Sequence, residues 1–172
     1  MDILILFTLA VMPALTIVAG LKDITSMTIP NWISAALVIG FFPAALAVGL
    51  PWMALLTHVG VGVAALLVAM LLFALRVFGG GDAKLLTAAA LWFGFNTSLF
   101  QFLVYTGYLG GLLTIVVMLL RANWDKLATV GVRLPQTLMV AKKIPYAIAI
   151  GGAGLLAYPS SPLVVAAIQK AL

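Results

Sequence analysis

The stretch RVFGGGDAKLL, residues 76–86, separates one long apolar run from the next. Three glycines, Gly79, Gly80 and Gly81, stand before Asp82, and the whole chain holds only four acidic residues. An aspartate in that place is either a charge at the start of a helix or a functional group. What surrounds the stretch decides both the fold and the choice.

The surroundings are apolar. Of 172 residues, 65% are hydrophobic and 8% charged, whereas a soluble domain is nearer half apolar and a quarter charged. The composition therefore predicts an integral membrane protein, with 1–172 forming a single membrane domain. A formal net charge of +5 is the mark of basic loops facing the cytoplasm, and nucleic acid is not expected as a partner. With no cysteine present, disulfides and cysteine-ligated zinc are excluded. The opening MDILILF lacks the basic start of a cleavable signal peptide, so the first apolar run is expected to stay as an anchor.

A bilayer core about 30 Å thick requires roughly 20 apolar residues in a helix. Six spans are read on that basis: 3–21, 32–50, 52–77, a shorter one at 85–95, 99–120, and one from 144 onward interrupted by YPSSP at 158–162. The expected fold is all-α, a polytopic membrane protein of about six transmembrane helices. Threading it with the N-terminus outside puts Lys22, Arg76, Lys84, Arg121, Lys126, Arg133, Lys142 and Lys143 on the cytoplasmic side, leaving only Lys170 outside. The positive-inside rule selects this orientation.

That orientation brings Asp23, just past span one, and Asp82, just before span four, to the same cytoplasmic edge. Asp2 goes outside, and Asp125 falls in the basic connector. Two carboxylates about 4 Å apart repel by about 4 kcal/mol at an effective dielectric near 20. A pair held so close shares one proton and can activate water. Each aspartate could instead cap a helix or solvate the interface, and an acid at the start of span four also suits the helix dipole. The glycines let the backbone take positive φ or let another chain come close. A substrate needs such an approach, and so does a plain turn.

Asp23 opens DITSMTIPN, and Gly79-Gly80-Gly81-Asp82 fits the pattern Gly-x-Gly-Asp, followed by Ala83 and Lys84. Together these resemble the type IV prepilin peptidase family, in its short Tad/Cpa-type branch. In that family an aspartate precedes an Ile-Pro-Asn-like element, as Asp23 precedes Ile29-Pro30-Asn31, and a second belongs to Gly-x-Gly-Asp. The resemblance implies an aspartic endopeptidase that removes leader peptides from prepilin or pseudopilin precursors at the cytoplasmic face of a prokaryotic cell membrane. Asp23 and Asp82 would be catalytic, with Gly79, Gly80 and Gly81 forming the active-site loop. The cysteine-containing cytoplasmic region of the long, methylating members has no counterpart here.

Pro30 suits the start of span two, Asn31 can bond the turn, and Lys22 and Lys84 flank the aspartates or reach lipid phosphates. Gly107 and Gly111 form a helix-packing Gly-x-x-x-Gly, and His58 is an interhelical hydrogen-bonding residue. The connector 121–143 carries Trp124, Leu127, Val130 and Leu134 among its basic residues and can lie on anionic lipid. No metal site and no cofactor are expected, because no histidine joins the acidic pair. Two other classes stay open: a proton-coupled carrier, which would favour acids near the midplane, and a non-catalytic scaffold of a pilus or secretion assembly.

Overall fold

The computed structural model describes residues 2–129 and 144–171. Those residues form helices α1 (Ile3–Ser26), α2 (Asn31–Val48), α3 (Trp52–Ala74), α4 (Gly80–Ala90), α5 (Thr97–Ala122), α6 (Trp124–Thr129), α7 (Ala147–Ala157) and α8 (Pro162–Ala171), with no strand among them. A 3₁₀ turn at Tyr158–Ser160 joins α7 to α8. Five segments are long and apolar enough to cross a membrane: α1, α2, α3, α5 and the joined α7–α8. The fourth apolar run differs. Helix α4 has 11 residues, about 16 Å at 1.5 Å per residue, roughly half a bilayer core.

Apolar counting located the runs but not the helix ends. Helix α1 continues five residues beyond Leu21, because nothing from Lys22 to Ser26 breaks it. The Thr25 and Ser26 hydroxyls bond back to the Leu21 and Lys22 carbonyls. Met27, in the left-handed region at φ 50°, then closes the helix by donating its N–H to the Asp23 carbonyl. Asp23 is thus in the last turn of α1 and buried, not just beyond it. Helix α4 starts earlier than its apolar run, with Gly79 as N-cap and Asp82 in the first turn. It stops in a turn at 91–93 ahead of Gly94, whose φ of +63° favours glycine and where a Cβ would meet His58 Nε2 at 2.7 Å.

Helix α7 is the central element, packed against α1, α5 and α4, while α2 packs on α1 and α4, and α3 on α4. Without water to drive apolar faces together, membrane helices associate through close packing and interhelical hydrogen bonds. Close packing is supplied by α7. A Cβ on Gly151 would meet the Thr16 backbone oxygen at 2.9 Å, and one on Gly154 would meet Met12 at 2.8 Å. The Gly107/Gly111 pair does not pack. A Cβ at either would meet no other helix within 4 Å, and the glycine of α5 that faces the bundle is Gly110. The buried stripe of α5 runs through Phe102, Thr106, Gly110 and Val117, and that register turns Gly107 and Gly111 outward.

Three buried side chains among the described residues bond to backbone carbonyls of other elements. Pro13 lies inside α1 and lacks the N–H that would normally satisfy the Leu9 carbonyl four residues back. The Tyr158 hydroxyl donates to that carbonyl at 2.8 Å, so the YPSSP interruption repairs the proline gap. The Trp92 indole N–H donates to the Leu37 carbonyl at 3.0 Å. His58 Nδ1 lies 2.7 Å from the Leu91 carbonyl, and since a carbonyl only accepts, that nitrogen carries the proton. His58 stacks on Phe41 at 5.2 Å, and Phe93 stacks on Phe102 at 4.7 Å. Phe41, His58, Trp92, Phe93 and Phe102 are all buried, forming an aromatic layer beyond the C-terminal end of α4. Lys170 reaches the Ala47 carbonyl near the end of α2, so the end of α8 and the end of α2 share one end of the bundle.

Candidate active site

At the opposite end, the end of α1, the starts of α2, α4 and α7, the end of α3 and the flank of α5 enclose a cavity of about 1030 Å³. Asp23 and Asp82 both line it. They stand 59 positions apart in sequence and arrive from the last turn of α1 and the first turn of α4. Gly79, Gly80, Gly81 and Asn31 line the same cavity.

Each glycine has its own neighbour. A Cβ at Gly79 would come within 2.7 Å of Asp82 Oδ2, one at Gly81 within 3.2 Å of Ile29 Cβ, and one at Gly80 within 3.4 Å of the Phe73 ring. Gly79 has φ −71°, and none of the three takes positive φ. Of the two uses that the sequence left open, the glycines serve close approach. Gly79 leaves room for the Asp82 carboxylate to fold back over the helix start, and Gly81 lets α4 rest on the Ile29-Pro30-Asn31 element.

The positive φ values fall elsewhere. Met27 at 50° and Arg76 at 59° are the positive-φ residues other than glycine among those described, and both line the cavity. Left-handed backbone at such residues costs of order 1–3 kcal/mol and persists only where the surroundings enforce it. Here the enforcing features are the closure of α1 beside Asp23 and the turn leading from α3 into the glycines.

The two sequence motifs touch. Lys84 Nζ donates to Asn31 Oδ1 at 3.0 Å, which links the residues after Asp82 to the residues after Asp23. Pro30 is the N-cap of α2, and Asn31 its first residue. Asn31 thus bonds a lysine across 53 positions rather than its own turn. Lys22 is exposed and does not line the cavity.

The start of α7 completes the wall, and sequence reasoning missed it. The Ala147 N–H donates to Asp23 Oδ2 at 2.9 Å, a helix N-terminus facing a carboxylate. Tyr146 lines the cavity and sets its ring edge-on to Phe78, with centroids 5.3 Å apart. Burial, and after it the Asp82 carboxylate, pushes the Tyr146 phenol above its ordinary range. A signal existed: Ile144-Pro145-Tyr146 repeats the Ile-Pro-x arrangement of Ile29-Pro30-Asn31 where a helix begins. Among the described residues no group of three or more His, Cys, Asp or Glu side chains is placed to hold a metal ion. The expectations for Arg133, Lys142 and Lys143, and for Val130 and Leu134, fall outside the described residues.

Apolar helices of membrane-spanning length, closed at one end by aromatic rings and carrying two carboxylates at the other, define a polytopic membrane protein with an acidic terminal cavity. The model of the Type IV leader peptidase family matches residues 10–118, more than half of the chain, and the protein belongs to that family. Comparison with curated proteins and with solved structures returned no match.

Proposed function

We propose that the protein is a membrane aspartic endopeptidase of the short Tad/Cpa-type branch, 1–172 acting as one peptidase domain. It removes the leader peptide from prepilin or pseudopilin precursors at the cytoplasmic face of the cell membrane. The observation that carries this reading is the convergence of Asp23 and Asp82 on one cavity. One carboxylate, charged, takes a proton from water. The other, protonated, donates to the oxygen of the scissile carbonyl, and their roles exchange as the amine leaves. Because the pair titrates as a unit, its protonation belongs to both residues. The loop expected at Gly79, Gly80 and Gly81 gives way to a helix start: Gly79 caps α4, Gly80 and Gly81 open it, and Gly79 leaves the Asp82 carboxylate room over that start. Pro30, Asn31 and Lys84 hold the two aspartate-bearing segments together.

A carrier would favour its acids near the midplane at broken helices. These acids belong to the last turn of one helix and the first turn of another, around a cavity at the end of the bundle, which favours hydrolysis at an interface. The test is co-expression with a precursor that carries a short basic leader ahead of an apolar helix. The expected result is a shorter product on a gel whose new N-terminus lies at the leader junction. Precursor that stays full length beside abundant enzyme overturns the reading.

The orientation has its own test. Among the described residues, Arg76 and Lys84 flank the three glycines, and Lys22, Arg121 and Lys126 belong to the last turns of α1 and α5 and to α6, so the positive-inside rule assigns this end to the cytoplasm. In this naturally cysteine-free chain, a cysteine introduced as Thr129→Cys is expected to resist impermeant thiol reagents in intact cells and to label after lysis. Labelling from outside reverses the topology.

A further inference from the structure

At the start of α7, two consecutive residues meet the acidic cavity in different ways. The Ala147 N–H donates to Asp23 Oδ2, and Tyr146 lines the same cavity as Asp82. Neither is in the stretch that the family model matches. The Tyr146 ring is fixed from two sides. Phe78, the residue before the three glycines, meets it edge to face at 89°. Gly110 of α5 receives its hydroxyl end so closely that any Cβ there would overlap the phenol. A side chain held in this way on the wall of the cavity has little freedom left, which is what a preorganised donor requires. Burial and the nearby carboxylate both disfavour the phenolate, so the hydroxyl keeps its proton at neutral pH.

We propose that Tyr146 is a third catalytic residue: its hydroxyl donates a hydrogen bond to the scissile carbonyl oxygen as negative charge develops there. The inference rests on the peptidase reading and adds to it a group that neither motif contains. When the water oxygen bonds to the carbonyl carbon, one water proton passes to the charged aspartate. The carbonyl π pair moves onto oxygen, which takes the proton of the other aspartate and is held by the Tyr146 O–H. As the C–N bond breaks, the amine leaves with a proton from the first carboxylate, and the second recovers its own. Tyr146 transfers nothing and ends as it began.

Tyr146→Phe removes the hydroxyl while keeping the ring, its edge contact with Phe78 and the ring carbons that face Gly110. With purified enzyme and a precursor substrate, kcat is expected to fall on the order of 100-fold, as for loss of one such donor. KM and both limbs of the pH profile should stay within about twofold of wild type, since a neutral donor leaves the pair's ionisation in place. A binding measurement tests the same point without turnover. A peptide bearing a tetrahedral hydroxyl-carbon in place of the scissile carbonyl should lose affinity by a similar factor, while an uncleaved substrate peptide should not. Wild-type kcat in Tyr146→Phe, or a loss confined to KM, overturns the inference alone provided that Asp82→Asn is inactive. Activity retained by Asp82→Asn, or an inactive wild-type enzyme, overturns the peptidase reading and this inference with it.

Discussion

Asp23→Asn and Asp82→Asn are each expected to abolish conversion of precursor to mature product, by on the order of 10⁴-fold, while the enzyme accumulates in the membrane at normal levels. An amide neither takes a proton from water nor shares one with a partner, so either change removes the chemistry without removing the fold. Members of one catalytic unit fail together, so the double variant should be no worse than either single one. The remaining two acids are internal controls. Asp2 precedes α1 at the far end of that helix, and Asp125 belongs to α6 beyond the end of α5. Asp2→Asn and Asp125→Asn should process at near wild-type rates. Asp82→Glu should also fail, because an extra methylene displaces the carboxylate by about 1 Å, which can cost on the order of 100-fold. The measurement is the fraction of precursor converted on a gel, with enzyme abundance read in the same samples. Full conversion by either asparagine variant removes the pair from the mechanism.

Gly79→Ala is expected to lower activity on the order of 100-fold with little change in thermal stability in detergent. The new methyl group would stand 2.7 Å from Asp82 Oδ2. A side-chain end can swing away at little cost to folding, but the atom displaced is a carboxylate oxygen of the site. Chemistry that depends on ångström placement then suffers where folding does not. The neighbouring glycines provide a graded comparison. At Gly81 the methyl group meets Ile29 Cβ at 3.2 Å, so α4 and the Ile29-Pro30-Asn31 element must part slightly, and an intermediate loss of activity should follow. At Gly80 the 3.4 Å approach to the Phe73 ring is ordinary contact, and Gly80→Ala should stay within a few-fold of wild type. Equal losses at all three positions would mean that the segment matters for backbone freedom rather than for the space around Asp82.

The helical class and the multi-pass membrane character were legible because both depend on a local quantity, the length of apolar runs. The convergence of Asp23 and Asp82 on one cavity was half legible. Threading the spans predicted a shared depth, but adjacency depends on α4 packing against α2 and α7, which no run length encodes. The extra helical turn carrying Asp23 was hidden because hydropathy ends at Leu21 while hydrogen bonding does not. The Gly107/Gly111 motif misled for a related reason: small residues permit close packing, yet register decides which of them faces a neighbour, and Gly110 does. Tyr146 escaped because its importance lies in contacts with Phe78 and Gly110, far away in sequence, and the repeated Ile-Pro-x before α7 was the one local trace. The roles of the three glycines were open for the same reason, since each depends on a different long-range neighbour.

The aromatic layer beyond α4 lies between the acidic cavity and the end of the bundle that carries Lys170. With Phe41, His58, Trp92, Phe93 and Phe102 buried there, a path for water or protons from that far end to the carboxylates would have to cross packed rings. In the proposed orientation, a cell that acidifies its surroundings while holding its internal pH steady should keep cutting precursors at an unchanged rate. Pilin maturation would then follow the metabolic state inside the cell and ignore the chemistry of the surface on which the pilus is to be used.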